Sequence, residues 1–85
     1  MNIRYSERFK KSYKKLTKEE RMVFQSKVRL FMADPMHPSL RVKKMQGTQA
    51  LFEFSVNMDI RVVWTKAPGV ILLLDIGHHS VLRKY

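Results

Sequence analysis

Few side chains in this sequence are suited to chemistry, and their types narrow the options. The aspartates, Asp34, Asp59 and Asp75, lie far apart and fall in different predicted elements. The dense acidic cluster of a two-metal nuclease is therefore not expected. His78 and His79 are neighbours, and adjacent side chains on an extended chain point to opposite sides, a poor arrangement for zinc. The chain has no cysteine, which removes a thiol nucleophile, thiolate ligands and a disulfide scaffold. What remains is acid–base and electrostatic chemistry without metal or cofactor. That is enough to cut RNA, because the 2′-OH of RNA can attack the neighbouring phosphate. The protein must then supply a base for the 2′ proton, cations for the phosphorane and an acid for the leaving 5′ oxygen. His79, Arg61, Lys43, Lys44, Arg83 and Tyr85 are residues of the right kinds.

The overall charge agrees with an anionic substrate. Seventeen Lys and Arg stand against seven Asp and Glu, a net charge of +10 on 85 residues. Such an excess points first to nucleic acid, then to an acidic protein, and only third to a membrane surface, since the basic helical segment is short. No stretch approaches the roughly 20 apolar residues that span a bilayer. The opening "MNIRYSERFKKSYKK" lacks the apolar core of a signal peptide, so a cytoplasmic protein with no membrane partner is expected.

These residues must be positioned by a small fold. Residues 1–85 are read as one domain, with no room for a second core. "IRY" near the start alternates like a short strand. Ser6 is placed as an N-cap, with Glu7 in the first turn where a carboxylate suits the helix dipole. Phe9, Tyr13 and Leu16 then form one apolar stripe, with Lys10, Lys11, Lys14 and Lys15 opposite. Thr17 and Glu20 make a capping box that opens a second helix, striped by Phe24, Val28 and Phe31. Pro35 stops it, because the residue before a proline avoids helical geometry. After the basic loop "HPSLRVKKMQG" the period changes to two. Phe52, Phe54 and Val56 share one strand face, and Ile60, Val62 and Trp64 another. "APG" turns into the apolar "VILLLDI", a buried strand. Gly77 is expected to let the chain bend out of it. The prediction is an α+β fold in the order β-α-α-β-β-β. It comprises an N-terminal strand, a helical hairpin on one sheet face and a three-stranded antiparallel meander.

The stretches "RYSERFKKSYKKL", "PSLRVKKMQG", "DIRVVWT" and "LLDIGHHSVLRKY" resemble, in order and spacing, the RelE/ParE superfamily of bacterial toxins from toxin–antitoxin pairs. The resemblance covers essentially the whole chain. It implies the same α+β fold and one of two activities. The RelE-like branch cuts messenger RNA on the ribosome without metal, and the ParE-like branch inhibits DNA gyrase. In the RelE-like branch a histidine often follows "IG-x" near the terminus, here His79. The basic residue ahead of the "L-x-G" turn falls at Lys43 or Lys44, before "MQG", and the strand arginine falls at Arg61, just after Asp59. Many members carry Tyr or Phe four residues beyond that histidine. This chain has Arg83 there, and Tyr85 is the nearest aromatic.

On this reading His79 does acid–base work, Arg61 stabilises the phosphorane, and Lys43 assists in catalysis with Arg83. Lys44, Arg41 and Asp59 contact the RNA, with Tyr85 as a base-stacking residue. The expected partners are the ribosome with its mRNA and an acidic antitoxin covering the basic face. Two alternatives stand beside it: a gyrase inhibitor without nuclease activity, and a non-catalytic basic nucleic-acid-binding module.

Overall fold

The computed structural model describes residues 2–45 and 50–79. Strand β1 (Asn2–Tyr5) leads into helix α1 (Glu7–Lys14) and helix α2 (Lys18–Ala33). A 3-10 turn (Pro38–Leu40) precedes the two-residue strand β2 (Lys43–Lys44). Strands β3 (Phe52–Ser55), β4 (Ile60–Ala67) and β5 (Val70–His78) follow. No helix among the described residues is long and apolar enough to cross a membrane.

Both helix starts follow the local chemistry of the sequence. Ser6 caps α1 by accepting from the Phe9 amide at 3.0 Å, and its hydroxyl also donates to the Leu74 carbonyl at 2.7 Å. The cap therefore ties the helix start to β5 as well as closing it. Thr17 and Glu20 form the reciprocal capping box, at 3.1 and 2.8 Å. Because this box sits on the surface, its contribution is testable without disturbing the core. Thr17→Ala should lower stability by about 1 kcal/mol, seen as a lower urea midpoint at unchanged slope. Helix α2 ends at Ala33, and Asp34, ahead of Pro35, leaves the helical region at φ −152°.

The sheet has the order β1-β5-β4-β3-β2. Strands β2 to β5 run antiparallel to their neighbours, whereas β1 pairs parallel to β5. The expected element order holds, and the meander is larger than expected by one strand. Two residues are too few for a period of two to show, so β2 reads as loop in the sequence. β5 lies between β1 and β4, which explains why "VILLL" is apolar throughout. Gly77 does not bend the chain out of the sheet: it is a buried member of β5, paired with Arg61, and the strand continues to His78. An extended glycine between two flanking pairs has no reason to turn.

The core lies between the helical hairpin and one sheet face. Phe9, Phe24, Val28 and Phe31 meet Phe54, Val62, Trp64, Leu73 and Ile76 there. Phe31 stacks on Phe54 at 4.6 Å and meets Trp64 edge-on at 5.0 Å. A buried carboxylate fastens α1 to β5: Asp75 accepts from Ser12 Oγ at 2.6 Å, Arg8 Nε at 3.1 Å and the Ile76 amide at 2.9 Å. A buried charge is tolerated when donors surround it in this way.

Candidate active site

The other sheet face carries the charged residues. Strand pairing sets Lys43 opposite Glu53, and Glu53 opposite Val63. Arg61 lies two residues before Val63 on β4, between Ser55 and Gly77. Alternation along strands puts Lys43, Glu53 and Arg61 on one face, away from the core. The Glu53 carboxylate is mostly buried, and one of its oxygens, Oε1, lies 3.7 Å from Lys43 Nζ and 3.9 Å from Arg61 Nε. A carboxylate is thus flanked by two cations from neighbouring strands. Gly77, the residue directly across from Arg61, presents no side chain over the guanidinium.

The turn between β3 and β4 holds Arg61 in one pose. Asn57 starts the turn by accepting from the amides of Asp59 and Ile60, at 2.9 and 2.8 Å, through its side-chain oxygen. This is the local bonding that suits Asn to turns. Arg61 Nη1 then donates to the carbonyls of Asn57, Met58 and Ile60, at 2.7, 3.0 and 3.2 Å. The remaining carbonyl of the turn, that of Asp59, accepts from the His79 amide at 2.8 Å. One small turn therefore fixes a candidate cation and the backbone of a candidate acid at once.

The end of β5 falls between the two histidines. His78 turns its Nε2 to within 3.5 Å of Glu20 on α2, on the helical side of the sheet. His79, exposed, is the first residue after β5 and is held by its amide to the Asp59 carbonyl. Strand alternation separates Lys43 from Lys44. Lys43 meets Glu53, whereas Lys44 pairs with Phe52 and takes the opposite side at the sheet edge. Asp59 is exposed at the tip of the turn. Arg41, also exposed, closes the 3-10 turn with a positive φ of 52° and stands next to β2. Arg83 and Tyr85 lie outside the described residues. Among the described residues, no three His, Asp or Glu side chains are grouped so as to hold a metal ion.

Two members of this site do not stand out in the sequence. Glu53 reads as a polar position between Phe52 and Phe54, and only the register of three strands puts it between Lys43 and Arg61. Asn57 reads as a turn residue, which it is, without revealing that the turn grips Arg61.

The architecture that presents this face is that of RelE-type toxins. The chain superposes on YafQ from Escherichia coli with a TM-score of 0.81 at 16% identity, covering 96% of this chain and 97% of YafQ. It superposes on the RelB–RelE antitoxin–toxin complex of Methanococcus jannaschii at 0.77 and 13% identity, covering 96% of each chain. On the RelE–RelB complex of Pyrococcus horikoshii the score is 0.72 at 20% identity, covering 91% of this chain and 92% of that one. No family model matches the sequence, and no curated protein matches it either. The likeness is one of fold, spans 91–96% of the chain and is carried by few identical residues.

Proposed function

We propose that this protein is the toxin of a toxin–antitoxin pair and acts as a ribosome-dependent, metal-independent mRNA endonuclease in the cytoplasm. The observation that carries the reading is the grouping of Lys43, Glu53 and Arg61 on the face of a RelE-type sheet that turns away from the helical hairpin, with His79 just beyond the end of β5. In the proposed mechanism Glu53 takes the 2′ proton, and the 2′ oxygen attacks the adjacent phosphorus. Arg61 and Lys43 offset the charge that grows on the phosphorane oxygens, and His79 protonates the departing 5′ oxygen. The basic surface holds the RNA backbone and, in the resting cell, an acidic antitoxin. Solved RelE chains in complex with RelB antitoxins support the second role.

Primer-extension mapping of a translated transcript tests the reading. The parent protein should cut within codons only on programmed ribosomes. Arg61→Ala should slow single-turnover cleavage by about 10²–10³-fold, as loss of one transition-state donor does, with ribosome affinity changed far less. A parent that cuts no RNA while cells accumulate broken DNA would transfer the assignment to gyrase inhibition. A parent that is harmless when expressed alone would leave a nucleic-acid-binding module.

Asn57 should matter through Arg61. Asn57→Ala removes the acceptor that closes the turn, and cleavage should fall roughly 10- to 100-fold, the scale of an ångström-level misplacement. Asn57→Asp keeps the acceptor oxygen and should restore most of the rate. Comparing kcat with KM for both variants, beside their thermal melts, separates positioning from general destabilisation.

A further inference from the structure

A second surface, on the helical side of the sheet, shares no residue with the candidate active site. It is a groove of about 570 Å³ between β1, α1 and α2, floored by Tyr5, Phe9, Tyr13 and Phe24 and rimmed by Lys10 and Lys14. Its volume lies within the roughly 300–1,000 Å³ of clefts that hold ligands. Phe9 and Phe24 are buried, whereas Tyr5 is 41% exposed. Among the described residues the other large apolar side chains exposed at the surface are aliphatic, Val23 and four methionines. Partial burial of the Tyr5 phenol, with Tyr13 alongside, raises its pKa.

Two features choose the occupant. The first is charge. Lys10 reaches Glu7 at 3.5 Å, and both side chains are largely exposed. Lys11 and Lys14, also lining the groove, make no ion pair among the described residues. On a chain of net charge +10, the partner must bring carboxylates or phosphates. The second is how the rings are used. Phe9 stacks on Tyr13 at 5.9 Å, Tyr5 tilts onto Phe9 at 5.1 Å, and Tyr13 meets Phe24 edge-on at 5.5 Å. Gln25 Nε2 donates to the Tyr13 hydroxyl at 2.9 Å and holds that ring in place. The ring faces are largely spent on one another, and a nucleobase needs a free face to stack on. A pit between ring edges instead suits a branched or aromatic side chain dropped from a helix or extended segment.

We infer that this groove docks an acidic peptide segment through a bulky apolar anchor, with Lys10, Lys11 and Lys14 meeting the flanking carboxylates. In naming the acidic antitoxin as the natural bearer of that segment, the inference rests on the proposed function. The docking itself does not. Because the groove and the candidate active site lie on opposite faces, a segment held here tethers its protein to the toxin without covering Arg61 or Glu53.

The test uses the intact protein and two synthetic 18-residue peptides of equal negative charge. One carries leucines at i, i+4 and i+7 among glutamates, and the other has serines in their place. Backbone and aromatic NMR shifts report where each binds. The leucine peptide should perturb Tyr5, Tyr13 and Gln25 and bind at least tenfold more tightly than the serine peptide. Tyr5→Ser and Lys14→Glu, both at solvent-exposed positions, should each weaken the leucine peptide about tenfold and leave RNA cleavage unchanged. Equal binding of the two peptides would reduce the surface to non-specific charge and overturn the inference. So would shifts confined to the Lys43–Arg61 face, or displacement of the leucine peptide from Tyr5 and Tyr13 by single-stranded RNA. A protein that cuts no RNA yet binds the leucine peptide in the groove fails the proposed function while this inference stands.

Discussion

Glu53→Gln should abolish most cleavage while leaving the protein folded and bound to the ribosome. Glutamine keeps the shape of the side chain and removes its ability to accept the 2′ proton. General-base help contributes typically about 10²–10⁴-fold, and the single-turnover rate should fall by that factor. Ribosome affinity should hold or rise slightly, because a negative charge disappears from beside Lys43 and Arg61. Single-turnover cleavage separates this role from a merely structural one. If Glu53 only spaces the two cations, the variant should cut at nearly the parental rate.

His79→Ala should also cost about 10²–10⁴-fold in the chemical step, because the 5′ oxygen then leaves without a proton. Binding should change little, since one side chain adds little beside 17 Lys and Arg. His78→Ala is the matched control. Its ring faces Glu20 across the helical side of the sheet, so cleavage should stay within a small factor of the parent. Single-turnover cleavage on programmed ribosomes, with binding followed separately, checks both. A sensitive His78 or a silent His79 would refute the assignment of the general acid.

Features written in a few consecutive residues were legible before any coordinates. Ser6, the Thr17–Glu20 box and the stop at Pro35 each depend on neighbours within about four positions, and each is where the sequence predicts it. The stripes of Phe9, Phe24, Val28 and Phe31 likewise bury as their spacing requires. Features that depend on strand register were not legible. The choice of Glu53 as the carboxylate between Lys43 and Arg61 is made by pairing across β2, β3 and β4. Nothing local to "FEFS" reports that pairing. The division between Lys43 and Lys44 has the same origin, since a two-residue strand has no visible period yet still alternates. Asp75 reads as an isolated acid until α1 brings Ser12 and Arg8 to it from more than 60 residues away.

That last contact governs the order in which the molecule can assemble during synthesis. The parallel partner of β1, the acceptor for the Ser6 hydroxyl and the carboxylate that fastens α1 all belong to β5. While residues 2–14 wait for them, the emerging amino-terminal segment has a strand without a neighbour and a helix without a floor. Pairings this distant in sequence form late, because the loop between them must close first. His79 follows β5 immediately, so the candidate active face and the docking of the first helix are completed by the same stretch of chain. A nascent chain halted before Val70 would carry Lys43, Glu53 and Arg61 and still lack the strand that holds its own beginning in place.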